Sequence, residues 1–156
     1  MTTATTETPL IIPALRPVYA SLSDVAETAV RIAAGLFLVP HGAQKLFGLF
    51  GGYGLDATGQ FFEAQLGFSN GYLAALGAGS IEFFAGLALA LGLFTRFAAS
   101  AIFVMLAVAA SIHFGAGFFW SEGGWEYPVL WAIVVGAFAV KGGGRYSLDR
   151  LIGREL

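Results

Sequence analysis

The sequence predicts an all-α membrane protein, a bundle of four transmembrane helices with a short interfacial helix in its first long loop. Hydrophobic residues make up 57% of the 156-residue chain, charged residues only 12%, and the mean hydropathy is +0.76. These values exceed those usual in soluble domains. Four apolar segments each approach the roughly 20 residues that cross a bilayer as a helix. The second and third segments also lack a polar face wide enough to meet water.

The N-terminal region, residues 1–23, contains no spanning segment. Residues 1–9 are rich in threonine and have no positively charged start before an apolar stretch. We therefore expect a disordered tail and not a cleaved signal peptide. Pro9, Pro13 and Pro17 disfavour regular structure, although residues 14–22 could form a short helix on the membrane surface.

The transmembrane domain, residues 24–156, carries the helices. The four spans are predicted at about residues 25–47, 72–93, 96–119 and 127–141. Asp24 and Glu27 have the spacing of a capping box, which predicts that the first helix begins at Val25. The last span is short and must tilt to cross. Residues 58–66 are predicted to form the interfacial helix of the long first loop.

The basic residues predict the orientation of the bundle. They fall at the N-terminus, the turn between the second and third spans, and the C-terminus: Arg16, Arg31, Arg96, Lys141, Arg145, Arg150 and Arg154. Only Lys45 falls at the opposite end. The positive-inside rule then places both termini in the cytoplasm of a multi-pass protein.

The ionisable and polar residues in the outer half of the bundle are the candidate ligand-binding residues, since charge at bilayer depth is costly and usually functional. They are His41, Gln44, Lys45, Glu82, His113 and Glu126. A rise of about 1.5 Å per residue places both histidines roughly 7–10 Å below the outer boundary and Glu82 roughly 15 Å below it. We expect one polar cluster in the outer half and nothing comparable in the inner half.

Glu82 is the strongest candidate. It shares a helix stripe with Ala75, Gly79 and Gly86, and small residues allow close helix approach. We expect its side chain to point into the bundle, where Lys45 or a histidine neutralises it.

Each candidate also has a structural explanation. His41 could donate to a backbone carbonyl, Lys45 could snorkel to the interface, Glu126 could complement a helix dipole, and Glu82 with Lys45 could be only a structural ion pair.

No metal site is predicted, because the histidines and glutamates lack helical ligand spacing. Similar depth alone supports haem ligation by the two histidines. The absence of cysteine excludes thiol chemistry, and the net charge of −2 argues against nucleic acid as a partner.

Several segments resemble the DoxX family of small bacterial membrane proteins. They are RIAAGLFL (31–38), HGAQKLFG (41–48), IEFFAG (81–86), GLFTR (92–96), EY (126–127) and GGGRYSLD (142–149). The resemblance covers nearly the whole chain after residue 25 and departs from the family at Gly143, where proline is frequent. It implies a four-helix protein of the bacterial inner (plasma) membrane, with family members linked to quinone-coupled oxidation of sulfur compounds.

Two functions are consistent with these observations. The first is a redox-associated subunit of a quinone-linked oxidoreductase, whose outer cavity binds a quinone or a similar amphiphile; its electrons would come from another subunit or from the substrate. The alternative is a non-enzymatic assembly factor or receptor for a partner protein, because small residues and aromatics form a lateral surface suited to a client helix. Beyond the lipid bilayer, a protein partner or a second copy of the chain is therefore expected.

The orientation has a direct test. In this cysteine-free chain, we expect Asp56→Cys to react in intact cells with an impermeant thiol reagent, because residue 56 lies in an outer loop. Arg96→Cys should stay unlabelled until the membrane is permeabilised. The reverse labelling pattern would contradict both the topology and the shared depth of the candidate residues.

Overall fold

The computed structural model describes residues 8–155, and all the regular structure in that part of the chain is helical. This confirms the all-α class; residues 1–7 of the predicted tail lie outside the described residues. The helices are α1 (Arg16–Phe47), α2 (Gly54–Leu66), α3 (Gly71–Leu91), α4 (Thr95–His113), α5 (Glu126–Lys141) and α6 (Leu148–Ile152).

Helix α1 begins well before the predicted start at Val25. The capping-box prediction is wrong, because Asp24 and Glu27 lie inside the helix and form ion pairs with Arg145 and Lys141 near the C-terminus. A separate surface helix over residues 14–22 is also not observed, since most of these residues form the first turns of α1. Pro17 occupies the first turn, where a missing amide hydrogen costs nothing.

The remaining helices follow the predicted order with shifted ends. The loop helix is confirmed but begins earlier, at Gly54. Helix α3 ends at Leu91 because Gly92 adopts a left-handed conformation, with φ of 69°. Helix α4 ends at His113 and continues as a short 3-10 turn, Phe114–Ala116, instead of reaching residue 119.

Two stretches of the described residues are long and apolar enough to cross a membrane, Gly71–Leu91 and Thr95–Ala116. Helix α5 is apolar but has only 16 residues. Helix α1 is long enough, with 32 residues, but includes Arg31 and Lys45 within its apolar part. Its polar side chains must therefore be satisfied inside the bundle if it is to cross.

Helices α1 and α3 run antiparallel with their backbones in contact. A methyl group at Gly35 would lie 2.4 Å from the carbonyl oxygen of Gly86, and one at Gly42 would lie 2.7 Å from that of Gly79. These two glycine pairs confirm that the small-residue stripe of the second span serves close helix approach.

Helices α4 and α5 pack on the other side of the bundle. The buried core brings together Leu89 of α3, Ile102 of α4 and Val135 of α5, each fully shielded from solvent. Helices α1 and α5 have few contacts, and one of them is an edge-on contact of Phe37 with Trp131, whose ring centroids are 5.9 Å apart. The seam between α1 and α5 is therefore looser than the contact between α1 and α3.

Packing of α1 on α3 gives a matched pair of glycine variants. We expect Gly35→Ala to destabilise the protein by about 1–3 kcal/mol, because backbone atoms stand within 2.6 Å of the added methyl group and cannot rotate away. Gly77→Ala, where nothing lies within 4 Å, should be neutral or stabilise α3 by up to about 1 kcal/mol. Thermal unfolding in detergent measures the stability of both variants. Equal losses would contradict the close backbone contact between α1 and α3.

Candidate functional site

An ion pair between α1 and α3 forms the centre of the candidate site. The ammonium nitrogen of Lys45 lies 2.9 Å from Oε1 and 2.7 Å from Oε2 of Glu82. The lysine side chain is 23% exposed and the glutamate side chain 12%, so the pair is largely shielded. The prediction that Glu82 points into the bundle is confirmed, and of the two expected kinds of partner, Lys45 or a histidine, it is Lys45 that binds the carboxylate.

The backbone of α3 is irregular at this pair. Residues Ile81–Ala85 form a π-helical segment, in which one turn is wider than in an α-helix, and Glu82 lies within it. Such segments are rare and frequent at functional sites. Gly79, one turn earlier, leaves room for the lysine stem, because a methyl group there would lie 3.2 Å from Cβ of Lys45.

His41 connects the ion pair to the seam between α1 and α5. Its carbonyl oxygen accepts a long hydrogen bond of 3.5 Å from Lys45, and its side chain is close enough to Glu82 to interact electrostatically. Its imidazole also borders a cavity of about 40 Å³ in the seam. The other lining residues come from three helices: Ala34, Phe37, Leu38, Leu106, Tyr127, Trp131 and Val135. This volume holds about one water molecule.

The other three candidates bind loop backbone instead of joining this group. Gln44 donates to the carbonyl of Phe50 at 3.2 Å, and His113 Nδ1 lies 2.7 Å from the carbonyl oxygen of Gly123. Glu126 accepts from the amide of Trp120 at 2.9 Å. The expected single cluster is thus divided, because the loops at this end of the bundle carry polar backbone groups that need partners of their own.

The expectation that the inner half holds nothing comparable is wrong. Arg31, 1% exposed, lies in a second buried polar network at the end of the bundle that contains both terminal segments. Its guanidinium donates to the carbonyls of Leu89 and Ala90 at 2.6 Å each and to Tyr146 at 2.7 Å. It thereby joins α1 to the end of α3 and to the segment after α5.

Asp149 completes this inner network. Its carboxylate accepts from the amides of Phe94 and Thr95 at 2.7 and 2.8 Å and from the Thr95 hydroxyl at 2.6 Å. Phe94 has a left-handed φ of 47°, unusual for a bulky residue, and these bonds hold that turn. Sequence periodicity could not pair residues 55 positions apart. The family-like segments 31–38, 92–96 and 142–149 did contain its side-chain members, Arg31, Thr95 and Asp149, although not the carbonyls of Leu89 and Ala90.

Metal binding has no support in this geometry. Within residues 8–155, no three histidine, aspartate or glutamate side chains lie together in a way that could hold a metal ion.

The comparison with protein-family models gives one match, to the family described as DoxX, over residues 26–116. The matched segment contains His41, Lys45 and Glu82 but ends before α5 and before Asp149. No curated protein and no solved structure matches the chain significantly.

The ion pair predicts strong coupling between Lys45 and Glu82. We expect Lys45→Met to destabilise the protein by about 3–5 kcal/mol, because it leaves a buried carboxylate without its cation. Adding Glu82→Gln should restore part of that loss, giving a coupling of about 0.5–3 kcal/mol in a double-mutant cycle on thermal stability.

A surface pair provides the control for this cycle. Arg145 and Asp24 are 3.1 Å apart with side chains 62% and 36% exposed, so Arg145→Met with Asp24→Asn should show a coupling below about 1 kcal/mol. Additive losses at positions 45 and 82 would show that their contact does not stabilise the fold.

Proposed function

The chain belongs to the DoxX family of membrane proteins, and we propose that α1, α3, α4 and α5 each cross the bacterial inner membrane with both termini in the cytoplasm. The partners of Arg31 and Lys45 inside the bundle support a spanning role for α1. The segments before α1 and after α5 lie at one end, where Lys141 and Arg145 pair with α1. At about 1.5 Å per residue α5 is shorter than the bilayer core, so it must be extended by its flanks or thin the membrane locally.

Within this arrangement the protein acts as a redox-associated subunit that binds a quinone-like amphiphile between α1 and α5. The observation that carries the proposal is the position of His41, which borders the α1–α5 cavity and also adjoins the Lys45–Glu82 pair. A ligand in the seam would thus have a hydrogen-bonding imidazole beside it and a carboxylate–ammonium pair behind that imidazole.

The chemistry follows from these neighbours. The imidazole of His41 hydrogen-bonds a quinone carbonyl, since a ring nitrogen that carries a proton is a hydrogen-bond donor. Glu82 and Lys45 supply or accept the proton that accompanies each electron, because a paired carboxylate can take up a proton when charge nearby changes. The electrons come from another subunit or from the substrate, since the chain has no cysteine.

The seam must open for this ligand. Its cavity of about 40 Å³ is far below the roughly 300–1,000 Å³ of drug-sized ligand pockets. Phe37 and Trp131 close the seam on the lipid side with a single edge contact of 5.9 Å. Separation of these rings admits a flat head group from the bilayer and leaves its tail in lipid.

The alternative function is a receptor or assembly factor for a client helix. The surface of small residues that the sequence predicted for the client is already covered. The small residues on α3 that would have received a client, Gly79 and Gly86, pack against α1. A client would instead have to use an outer face such as that around Leu73 and Phe84, which are 60% and 59% exposed.

Quinone content of the purified protein tests the proposal. We expect an extractable quinone in the wild-type protein, and at least about a fivefold loss in His41→Leu, which removes a hydrogen bond of roughly 1 kcal/mol to the ligand. Organic extraction followed by chromatography measures the quinone per protein molecule, with thermal stability recorded in parallel.

His113→Leu is the matched control, because the ring of His113 is bound to Gly123 in the α4–α5 loop and does not line the cavity. This variant should retain its quinone wherever it remains folded. Equal loss in both variants would contradict binding at the seam, and a stoichiometric protein in place of quinone would favour the receptor function.

A further inference from the structure

A pocket of about 540 Å³ lies at the end of the bundle that carries both terminal segments, far from the seam described above. Its charged lining is Asp24, Lys141, Arg145, Asp149, Arg150, Arg154 and Glu155. Its size falls within the roughly 300–1,000 Å³ typical of ligand sites. This pocket has no part in the proposed quinone chemistry.

Every carboxylate in this lining already has a partner. Asp149 is held by the backbone of Phe94 and Thr95, Asp24 pairs with Arg145, and Glu155 pairs with Arg96 at 2.9 Å. An anion entering the pocket would therefore meet two carboxylates paired with arginines and a third, Asp149, whose oxygens are held by hydrogen bonds.

Two cations remain. Arg145 and Lys141 pair with carboxylates on α1, whereas the guanidinium groups of Arg150 and Arg154 form no ion pair with any described residue and are exposed. Unneutralised arginines at a membrane surface attract anions, and the planar guanidinium suits phosphate oxygens in particular.

Apolar side chains beside these arginines point to an amphiphile. Leu151 and Ile152 on α6 are 82% and 58% exposed, and Val140 at the end of α5 is 79% exposed. The pocket also adjoins the turn between the two helices that are long and apolar enough to cross a membrane, because its lining residue Asp149 is bound to Phe94 and Thr95. In a bundle that spans the bilayer, the charged lining thus lies at the level of the lipid head groups, with apolar side chains next to it.

We propose that this pocket binds the head group of an anionic phospholipid, with the phosphate on Arg150 and Arg154 and the acyl chains along Val140, Leu151 and Ile152. The proposal rests on the membrane placement of the bundle but not on quinone binding. Such a lipid would fasten the C-terminal segment to the bilayer, next to the inner network of Arg31 and Asp149.

Thermal stability of the full chain in nonionic detergent tests this site with three probes: phosphatidylglycerol, phosphatidylcholine and inorganic phosphate. We expect saturable stabilisation by phosphatidylglycerol alone. The double variant Arg150→Gln with Arg154→Gln should weaken its apparent affinity about 25-fold, at about fivefold for each arginine near a charged membrane surface. Both side chains are exposed, so the variant should fold; native mass spectrometry of bound lipid gives a second measurement.

Arg16→Gln is the matched control, since it removes the same charge at the same end of the bundle outside the pocket lining. It should keep the wild-type affinity. Equal weakening in Arg16→Gln would show general attraction to anionic lipid, and unchanged affinity in the double variant would exclude these arginines. Equal stabilisation by inorganic phosphate would assign the pocket to a soluble phosphate ligand, and each of these outcomes overturns the proposal. Cysteine labelling and quinone content report separately on topology and on the seam.

Discussion

Backbone contact between α1 and α3 governs what the buried charges of this protein can reach. Where Gly35 meets Gly86 and Gly42 meets Gly79, the two helices are too close for a side chain to intervene. Lys45 can then reach across to Glu82, and Arg31 can reach the carbonyls at the end of α3. In a bilayer, where water cannot satisfy a charge, a wider spacing would leave both cations without partners.

The two ends of the bundle use their polar residues differently. At one end Arg31 and Asp149 bind backbone groups, fixing the α3–α4 turn and the segment after α5 in place. At the other, Lys45 and Glu82 bind each other, which leaves the protonation of the pair open to influence from a neighbour. A network of fixed backbone acceptors favours rigidity, whereas a paired acid and base can respond to a change in nearby charge. This contrast favours the Lys45–Glu82 pair over the network of Arg31 and Asp149 for the proposed proton exchange.

In the proposed function, the seam between α1 and α5 gives that pair access to the bilayer. Large side chains, Phe37 and Trp131, meet there where glycines meet elsewhere, so the helices stand further apart and leave a small cavity beside His41. A tightly packed core resists opening, and a seam closed by few contacts is the place where a membrane-soluble ligand can enter. Function is therefore proposed where a close helix contact, α1 with α3, and a looser one, α1 with α5, meet on α1.

The sequence by itself determined the helical class, the order of the helices and the inward position of Glu82, whereas the choice of Lys45 over a histidine as its partner came from the tertiary structure. Apolar length predicts helices, and the stripe of Gly79, Glu82 and Gly86 predicts a carboxylate at a close helix contact. It could not determine where α1 begins, because the capping spacing of Asp24 and Glu27 is local whereas their partners lie near the C-terminus. Only the tertiary structure separated His113 and Glu126 from the ion pair, since depth along a helix does not specify which neighbour a side chain faces. Only it showed that Arg31 and Asp149, which read as residues of the inner ends, are buried together by contacts between distant segments of the chain.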